Sequence, residues 1–178
     1  MMFYLKYMKK SQPAGRQGFT LIELLIVIAL LGALAVGMLA TIDPFEQLKK
    51  GRDTSQRNTV SEFYNANLRY YSTKAQFPWG TEGLATTTVD LMTTHIDALV
   101  AAGELKNRFK ELAGAGNLKK IYVTSTGADQ VAVCFKPESR SFQNEANTIY
   151  NETGELGSDC QASATPPATG VHCYYCIQ

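Results

Sequence analysis

The chain has 178 residues, 45% of them hydrophobic, and its 17 Lys and Arg nearly balance its 16 Asp and Glu. A net charge of only +1 excludes nucleic-acid binding that rests on bulk electrostatic attraction to phosphates. Four of the basic residues and none of the acidic ones lie in residues 1–18, so the remainder is mildly acidic, with 13 basic against 16 acidic side chains. Any contact with DNA would therefore be local.

An apolar run begins abruptly after Gly18 and extends from Phe19 to Ala40, with Glu23 as its one ionisable residue. As a helix, the run would span about 33 Å at ~1.5 Å per residue, which is enough to cross a bilayer core of ~30 Å. A carboxylate inside such a segment costs about 2.5–3.5 kcal/mol and normally implies a partner. The run contains no cation, so Glu23 is expected to be unpaired in the isolated subunit.

A cation appears if the chain is cut between Gly18 and Phe19, because the cut creates an α-amino group with a reference pKa of ~8. Four residues separate this amine from Glu23. The stretch from Gly18 to Ala29, with its basic leader, its glycine–phenylalanine junction and its placed glutamate, resembles the prepilin signature of type IV pilins and type II secretion pseudopilins. The resemblance covers about residues 9–50.

The resemblance implies both processing and assembly. A prepilin peptidase would cut after Gly18 and methylate the amine of Phe19, and Glu23 would then pair with the N-terminus of a neighbouring subunit in a helical filament. It also implies an α+β fold of lollipop shape, in which a long N-terminal helix packs on a small antiparallel-sheet head. Further copies of the chain and an inner-membrane assembly platform are the implied partners.

Two simpler interpretations of residues 1–40 are a secretory signal and a plain membrane anchor. A secretory signal has an apolar stretch of ~7–15 residues followed by a small-residue cleavage site, whereas here the stretch is longer and the small residue, Gly18, precedes it. A plain anchor would gain nothing from Glu23. The pattern therefore favours the prepilin interpretation.

The charge of the leader predicts the orientation of the chain. Lys6, Lys9, Lys10 and Arg16 favour a cytoplasmic location for residues 1–18. Residues 19–42 would then cross the inner membrane once, and residues 43–178 would form an extracytoplasmic head. After assembly the chain would belong to an extracytoplasmic or cell-surface filament.

Three residues are expected to loosen the long helix. Gly32 and Gly37 each weaken a helix by about 1 kcal/mol relative to alanine, and the resemblance implies that this stretch extends locally in a filament. Pro44 lacks an amide hydrogen and is expected to kink or interrupt the helix between Ala40 and Asp43.

After Pro44 the pattern becomes that of an amphipathic helix reaching Tyr71, broken by Pro78 and Gly80. Its expected buried stripe consists of Phe45, Leu48, Val60, Phe63, Tyr64 and Tyr71. The aromatic residues of this region, which also include Tyr70, Phe77 and Trp79, are interpreted as core, not as a ligand groove.

Residues 80–120 are predicted to connect the helix to a hairpin through helical segments. One helix would begin at Thr88 or Asp90 and end near Gly103, with inward side chains Leu91, Ile96, Leu99 and Val100; a second would carry Leu105, Phe109 and Leu112. The segments 120–125 and 130–135 predict an antiparallel hairpin. Residues 138–170 read as a polar loop, whose core candidates are Phe142, Ile149, Tyr150 and Leu156.

The four cysteines are Cys134, Cys160, Cys173 and Cys176. An even number in an exported segment favours disulfides, and all three pairings are open. Cys173 and Cys176 also have the spacing of a zinc half-site or of a redox pair, although no second half-site accompanies them.

No motif of an enzyme is present, and neither His95 nor His172 lies in a catalytic or metal-ligating setting. No cofactor and no metal site is expected; calcium in the C-terminal loop stays open, because related major pseudopilins often bind it there. The sequence thus predicts a major-type pilin that polymerises through its N-terminal helix. The alternatives are a major pseudopilin of a secretion or DNA-uptake system and a membrane-anchored metal-binding or binding module.

Overall fold

The computed structural model describes residues 18–41, 43–157, 160 and 173–178. The predicted leader up to residue 17, and Asp159 and His172 of the C-terminal loop, lie outside the described residues. The chain divides into two compact units, Met1–Asp43 and Pro44–Gln178. We call the second unit the head.

The described residues of the first unit form one helix, α1, over Leu21–Thr41. Its residues are almost all leucine, isoleucine, valine and alanine, and the helix continues unbroken through Gly32 and Gly37. The interruption expected near Pro44 is present, because α1 ends at Thr41 and the next helix begins at Pro44. Proline suits the first position of a helix, where its missing N–H has no intrahelical partner to lose.

The head begins with the helix α2, Pro44–Lys74. The strand β1 (Leu84–Thr88), one 3₁₀ turn (Val89–Leu91) and the helices α3 (Thr93–Ala101), α4 (Phe109–Ala113) and α5 (Ala115–Leu118) follow. The strands β2 (Ile121–Ser125) and β3 (Ala132–Phe135), the helix α6 (Arg140–Gln143) and the strand β4 (Tyr175–Ile177) complete it. The four strands form one antiparallel sheet in the order β1-β2-β3-β4.

The sheet separates two apolar layers because its side chains alternate between its faces. Val133 and Phe135 of β3 join the main core, to which α2 contributes Val60 and Phe63, all fully buried. The intervening Cys134 faces a smaller cluster on the other side, with Ala132, Cys176 and the half-buried Tyr122, Tyr150 and Tyr174. The predicted α+β fold, the long amphipathic helix and the hairpin of β2 and β3 are confirmed.

Several expectations about the head were wrong. The strands β1 and β4 were not predicted: residues 80–120 were interpreted as a helical connection, and no element was assigned after the loop of residues 138–170. Leu91 is exposed because it belongs to the 3₁₀ turn that precedes α3, and Leu112 is exposed because α4 buries Phe109 and Ala113 instead.

The expected stripe of α2 is also shorter than predicted. Phe45 and Leu48 are 74% and 61% exposed, and burial on this helix starts at Asp53, where the rest of the head begins to cover it. Leu156 is likewise exposed. The aromatic side chains from Phe63 to Trp79 do lie in or against the core, as expected.

Candidate functional site

The start of α1 holds Glu23 in a reciprocal hydrogen-bonded cap with Thr20. The Oε2 atom of Glu23 accepts from the backbone N of Thr20 at 2.8 Å and from its Oγ1 at 2.7 Å. In return, the backbone N of Glu23 donates to Oγ1 of Thr20 at 3.3 Å. Because the helix begins at Leu21, Thr20 is its N-cap and Glu23 its third residue, the arrangement known as a capping box.

This cap corrects the expectation that Glu23 is unpaired in the isolated subunit. Thr20 was missed by sequence reasoning, which sought only a cation for the carboxylate. The signal was present, since threonine followed three residues later by glutamate before an apolar run is the sequence pattern of a capping box. Two orphan N–H groups of the helix are satisfied in this way.

The Gly18–Phe19 peptide bond lies just outside the cap. Thr20 keeps its backbone N–H when that bond is cut, because the amide between Phe19 and Thr20 stays intact. Phe19 is 87% exposed, and a Cβ added at Gly18 would meet nothing within 4 Å. Among the described residues, no contact requires glycine at position 18. Cleavage after Gly18 stays a prediction.

The surface of α1 is apolar on all sides. Every described side chain of the helix is exposed, and Val27, the least exposed of its large hydrophobic residues, still shows 48% of its area. The segment Leu21–Leu39 is long and apolar enough to cross a membrane. An apolar surface of this extent is unstable in water, so α1 requires either lipid or other helices around it.

Gly32 and Gly37 pack against none of the other residues that the structure describes. A Cβ added at either position would meet nothing within 4 Å. Small residues on apolar helices allow neighbouring helices to approach closely. Local extension of the helix at these glycines stays a prediction.

The cysteines pair as Cys134–Cys176 and Cys160–Cys173. Cys134 and Cys176 lie directly opposite each other on β3 and β4, so this disulfide fastens the terminal strand to the sheet. Since all four sulfur atoms are bonded, Cys173 and Cys176 form neither a zinc half-site nor a redox pair with each other here. Among the described residues, no group of three or more His, Cys, Asp or Glu could hold a metal ion.

The polar side chains of His95 and Asn151 both make contacts within the head. His95 packs edge-on against Trp79, with 6.2 Å between ring centroids. Asn151 accepts hydrogen bonds at its Oδ1 from the amides of Thr153 and Glu155, each at 2.9 Å. This side chain therefore shapes the loop that follows Tyr150.

Comparison with known proteins gives one match. Residues 13–39 match the family model described as the prokaryotic N-terminal methylation motif. No curated protein and no solved structure matches the chain. The matched residues include Gly18, Phe19, Thr20 and Glu23, so they contain both the expected processing site and the capping box. This motif is the signature of type IV pilins and pseudopilins, and it supports a pilin-like or pseudopilin protein.

Proposed function

We propose that the chain is a major-type pilin, which polymerises through α1 into a type IV pilus. The observation that carries this proposal is the combination, within the matched motif, of a fully exposed apolar helix and a carboxylate held at its first turn. The motif implies processing by a prepilin peptidase and assembly into a pilus or pseudopilus. An inner-membrane assembly platform would supply the subunits to the filament.

In this proposal, processing divides the chain after Gly18. Residues 1–18 are the cytoplasmic leader, and the cut creates the amine of Phe19, which is then methylated. Residues 19–42 hold the subunit in the inner membrane with residues 43–178 outside, as the basic leader favours. The capping box survives the cut, so the carboxylate of Glu23 keeps its position near the new N-terminus.

The carboxylate of Glu23 can accept a hydrogen bond from an amine while it keeps its hydrogen bonds to Thr20. An ionised carboxylate offers about four lone-pair sites on its two oxygens, and Thr20 occupies sites on Oε2 alone. When a subunit enters the filament, the protonated amine of a neighbour's Phe19 binds Glu23. The pair forms in an apolar surrounding, where attraction between opposite charges is much stronger than in water.

Packing of α1 against the helices of its neighbours stabilises the filament. Because the subunit moves from lipid and not from water, this stabilisation comes mainly from helix–helix packing. Gly32 and Gly37 allow close approach, and Pro44 separates this helix from the head. No cofactor is part of the proposal, and calcium in the C-terminal loop stays a prediction.

A secretion or DNA-uptake pseudopilus is the second candidate function. The segment from Tyr70 to Pro78, within which α2 ends at Lys74, resembles the turn that closes the long helix in major pseudopilins. The two disulfides near the chain end instead favour a pilin, whose C-terminal region is often bounded by cysteines and exposed. We favour the pilus for this reason.

The mass of the chain in material sheared from expressing cells tests the proposal. A mature chain that begins at methylated Phe19, recovered in sheared filaments, is the expected result. A mature chain found only in the membrane fraction would favour a short pseudopilus. A full-length chain with its leader attached would contradict both assignments.

A further inference from the structure

We propose that a groove in the head binds a basic peptide segment of a protein partner, with a lysine or arginine side chain as its anchor. The groove has a volume of about 530 Å³, within the range of ~300–1,000 Å³ common for ligand sites. The residues that line it belong to α2, to the hairpin of β2 and β3 with its turn, and to the loop after Tyr150, together with Gln178. All belong to one compact unit, and the inference does not depend on filament assembly.

The groove has an apolar part. Tyr64 and Leu68 of α2 line it together with Ala132, the first residue of β3, and Val131 just before it. Leu68 is 38% exposed, although it lies in the well-packed half of α2, next to the fully buried Asn67. Apolar area left open in this way fits the methylene stem of a long side chain.

Two carboxylates give the groove its charge. Asp129 comes from the turn between β2 and β3, and Glu155 comes from the loop after Tyr150. No lysine or arginine is among the residues that line the groove. Within the described part of the chain, neither carboxylate makes an ion pair. The groove therefore offers uncompensated negative charge beside apolar surface.

This combination selects an organic cation over a bare metal ion. A metal ion needs several oxygen ligands around one point, and the described residues contain no group of three or more acidic, His or Cys side chains that could provide them. A lysine or arginine side chain has both required features, an apolar stem and a charged head that binds carboxylates. A nucleic acid is disfavoured because Asp129 and Glu155 repel phosphates.

The experiment is isothermal titration calorimetry of the full mature chain in non-ionic detergent. The probe is the blocked peptide acetyl-Gly-Lys-Gly-Arg-Gly-amide, and its control carries glutamine in place of lysine and arginine. We expect saturable binding of the basic peptide that weakens as salt is raised, and no measurable binding of the glutamine peptide. Absence of binding at millimolar basic peptide, or equal binding of both peptides, would overturn the proposal.

Substitutions then locate the site. Asp129→Asn and Glu155→Gln are each expected to raise Kd roughly two- to fivefold, the range for exposed ion pairs. The matched control is Glu111→Gln on α4, which lies outside the groove and pairs with Arg108; its Kd is expected to stay unchanged. If the control weakens binding as much as the groove variants, the peptide binds elsewhere and the assignment is wrong. If a variant fails to fold, the comparison of the basic peptide with the glutamine peptide on the unmodified chain still tests whether the chain binds basic peptides.

Discussion

Asp53 on α2 and Ser139 after β3 are joined by two short hydrogen bonds across the head. The Oδ2 atom of Asp53 accepts from the backbone N of Ser139 at 2.7 Å and from its Oγ at 2.6 Å. Its Oδ1 accepts from the backbone N of Glu138 at 2.9 Å. Both Asp53 and Ser139 are fully buried, so one carboxylate satisfies three donors and fastens the segment after β3 to the helix.

Replacing Asp53 by alanine is expected to destabilise the head by about 2–4 kcal/mol, because buried donors lose their acceptor. Denaturant unfolding followed by the fluorescence of Trp79, the one tryptophan, measures the change. Asp97→Ala is the control, since Asp97 pairs with Lys110 on the surface and should change stability by less than ~1 kcal/mol. Equal losses in the two variants would show that the buried carboxylate has no special role.

Gly154 is expected to tolerate no side chain. Its φ is +78°, and an added Cβ would lie 2.5 Å from the Cβ of Ala132. Gly103 has the same φ of +78° with nothing within 4 Å of an added Cβ. Gly103→Ala should therefore cost only the backbone penalty of about 1–2 kcal/mol, whereas Gly154→Ala should cost an additional ~1–3 kcal/mol for overpacking. Equal costs, measured by the same unfolding assay, would contradict the close contact with Ala132.

The two disulfides are expected to contribute unequally to stability. Cys134 and Cys176 are 42 residues apart in sequence, and Cys160 and Cys173 are 13 apart. In the chain-entropy model, the longer loop gives about 4 kcal/mol and the shorter about 3 kcal/mol. Because Cys134 is buried, changing both Cys134 and Cys176 to serine should increase the difference in stability loss between the two double variants. A larger loss from the Cys160/Cys173 double variant would contradict the assignment of Cys134–Cys176 as the main fastening of β4.

The ion pairs of Glu138 are expected to give the stability of the head a small pH dependence. Hydrogen bonds from Lys120 and Arg52, each 2.7 Å long, lower the pKa of Glu138 below its usual value. The stabilisation that these pairs give the folded head is therefore fully present above pH ~4.3, the pKa of a glutamate in the unfolded chain. It is lost as the pH falls through the lower pKa that Glu138 has in the folded chain.

The pairs of Glu138 with Lys120 and Arg52 are partly exposed and screened by solvent. Glu138→Gln should therefore lower the free energy of unfolding by less than ~1 kcal/mol at neutral pH. The cost should shrink as the pH falls below the ordinary range of a glutamate. Unfolding of both chains from neutral to acidic pH, at low and high salt, measures this difference. A cost that grows on acidification would contradict the predicted sign.

The features that sequence could predict were those encoded locally. The apolar run, the leader charges and Glu23 identify the prepilin signature because each is a property of adjacent residues. The hairpin of β2 and β3 was predictable because two short segments rich in β-branched and aromatic residues flank a short polar turn. The break at Pro44 follows from the chemistry of proline alone.

The features that were missed depend on contacts between distant residues. Strand β4 has only three residues, Tyr175–Ile177, and pairing with β3 and the Cys134–Cys176 disulfide define it. Strand β1 has a threonine-rich sequence whose pairing with β2 is irregular. Spacing alone gives neither the cysteine pairing nor the burial of Asp53. The Cys134–Cys176 disulfide depends on the pairing of β3 with β4, and Asp53 is buried where α2 meets the segment after β3.

The most direct test of the central claim compares filament assembly by Glu23 variants. Glu23→Ala, Glu23→Gln and Glu23→Asp are expressed in place of the native chain, and the processed chain is measured in sheared filaments and in membranes. If the charge of Glu23 binds a neighbour's amine, the alanine and glutamine variants should be cleaved and retained in the membrane with little or no filament. The aspartate variant should keep partial assembly. Undiminished filaments from the glutamine variant would contradict the account.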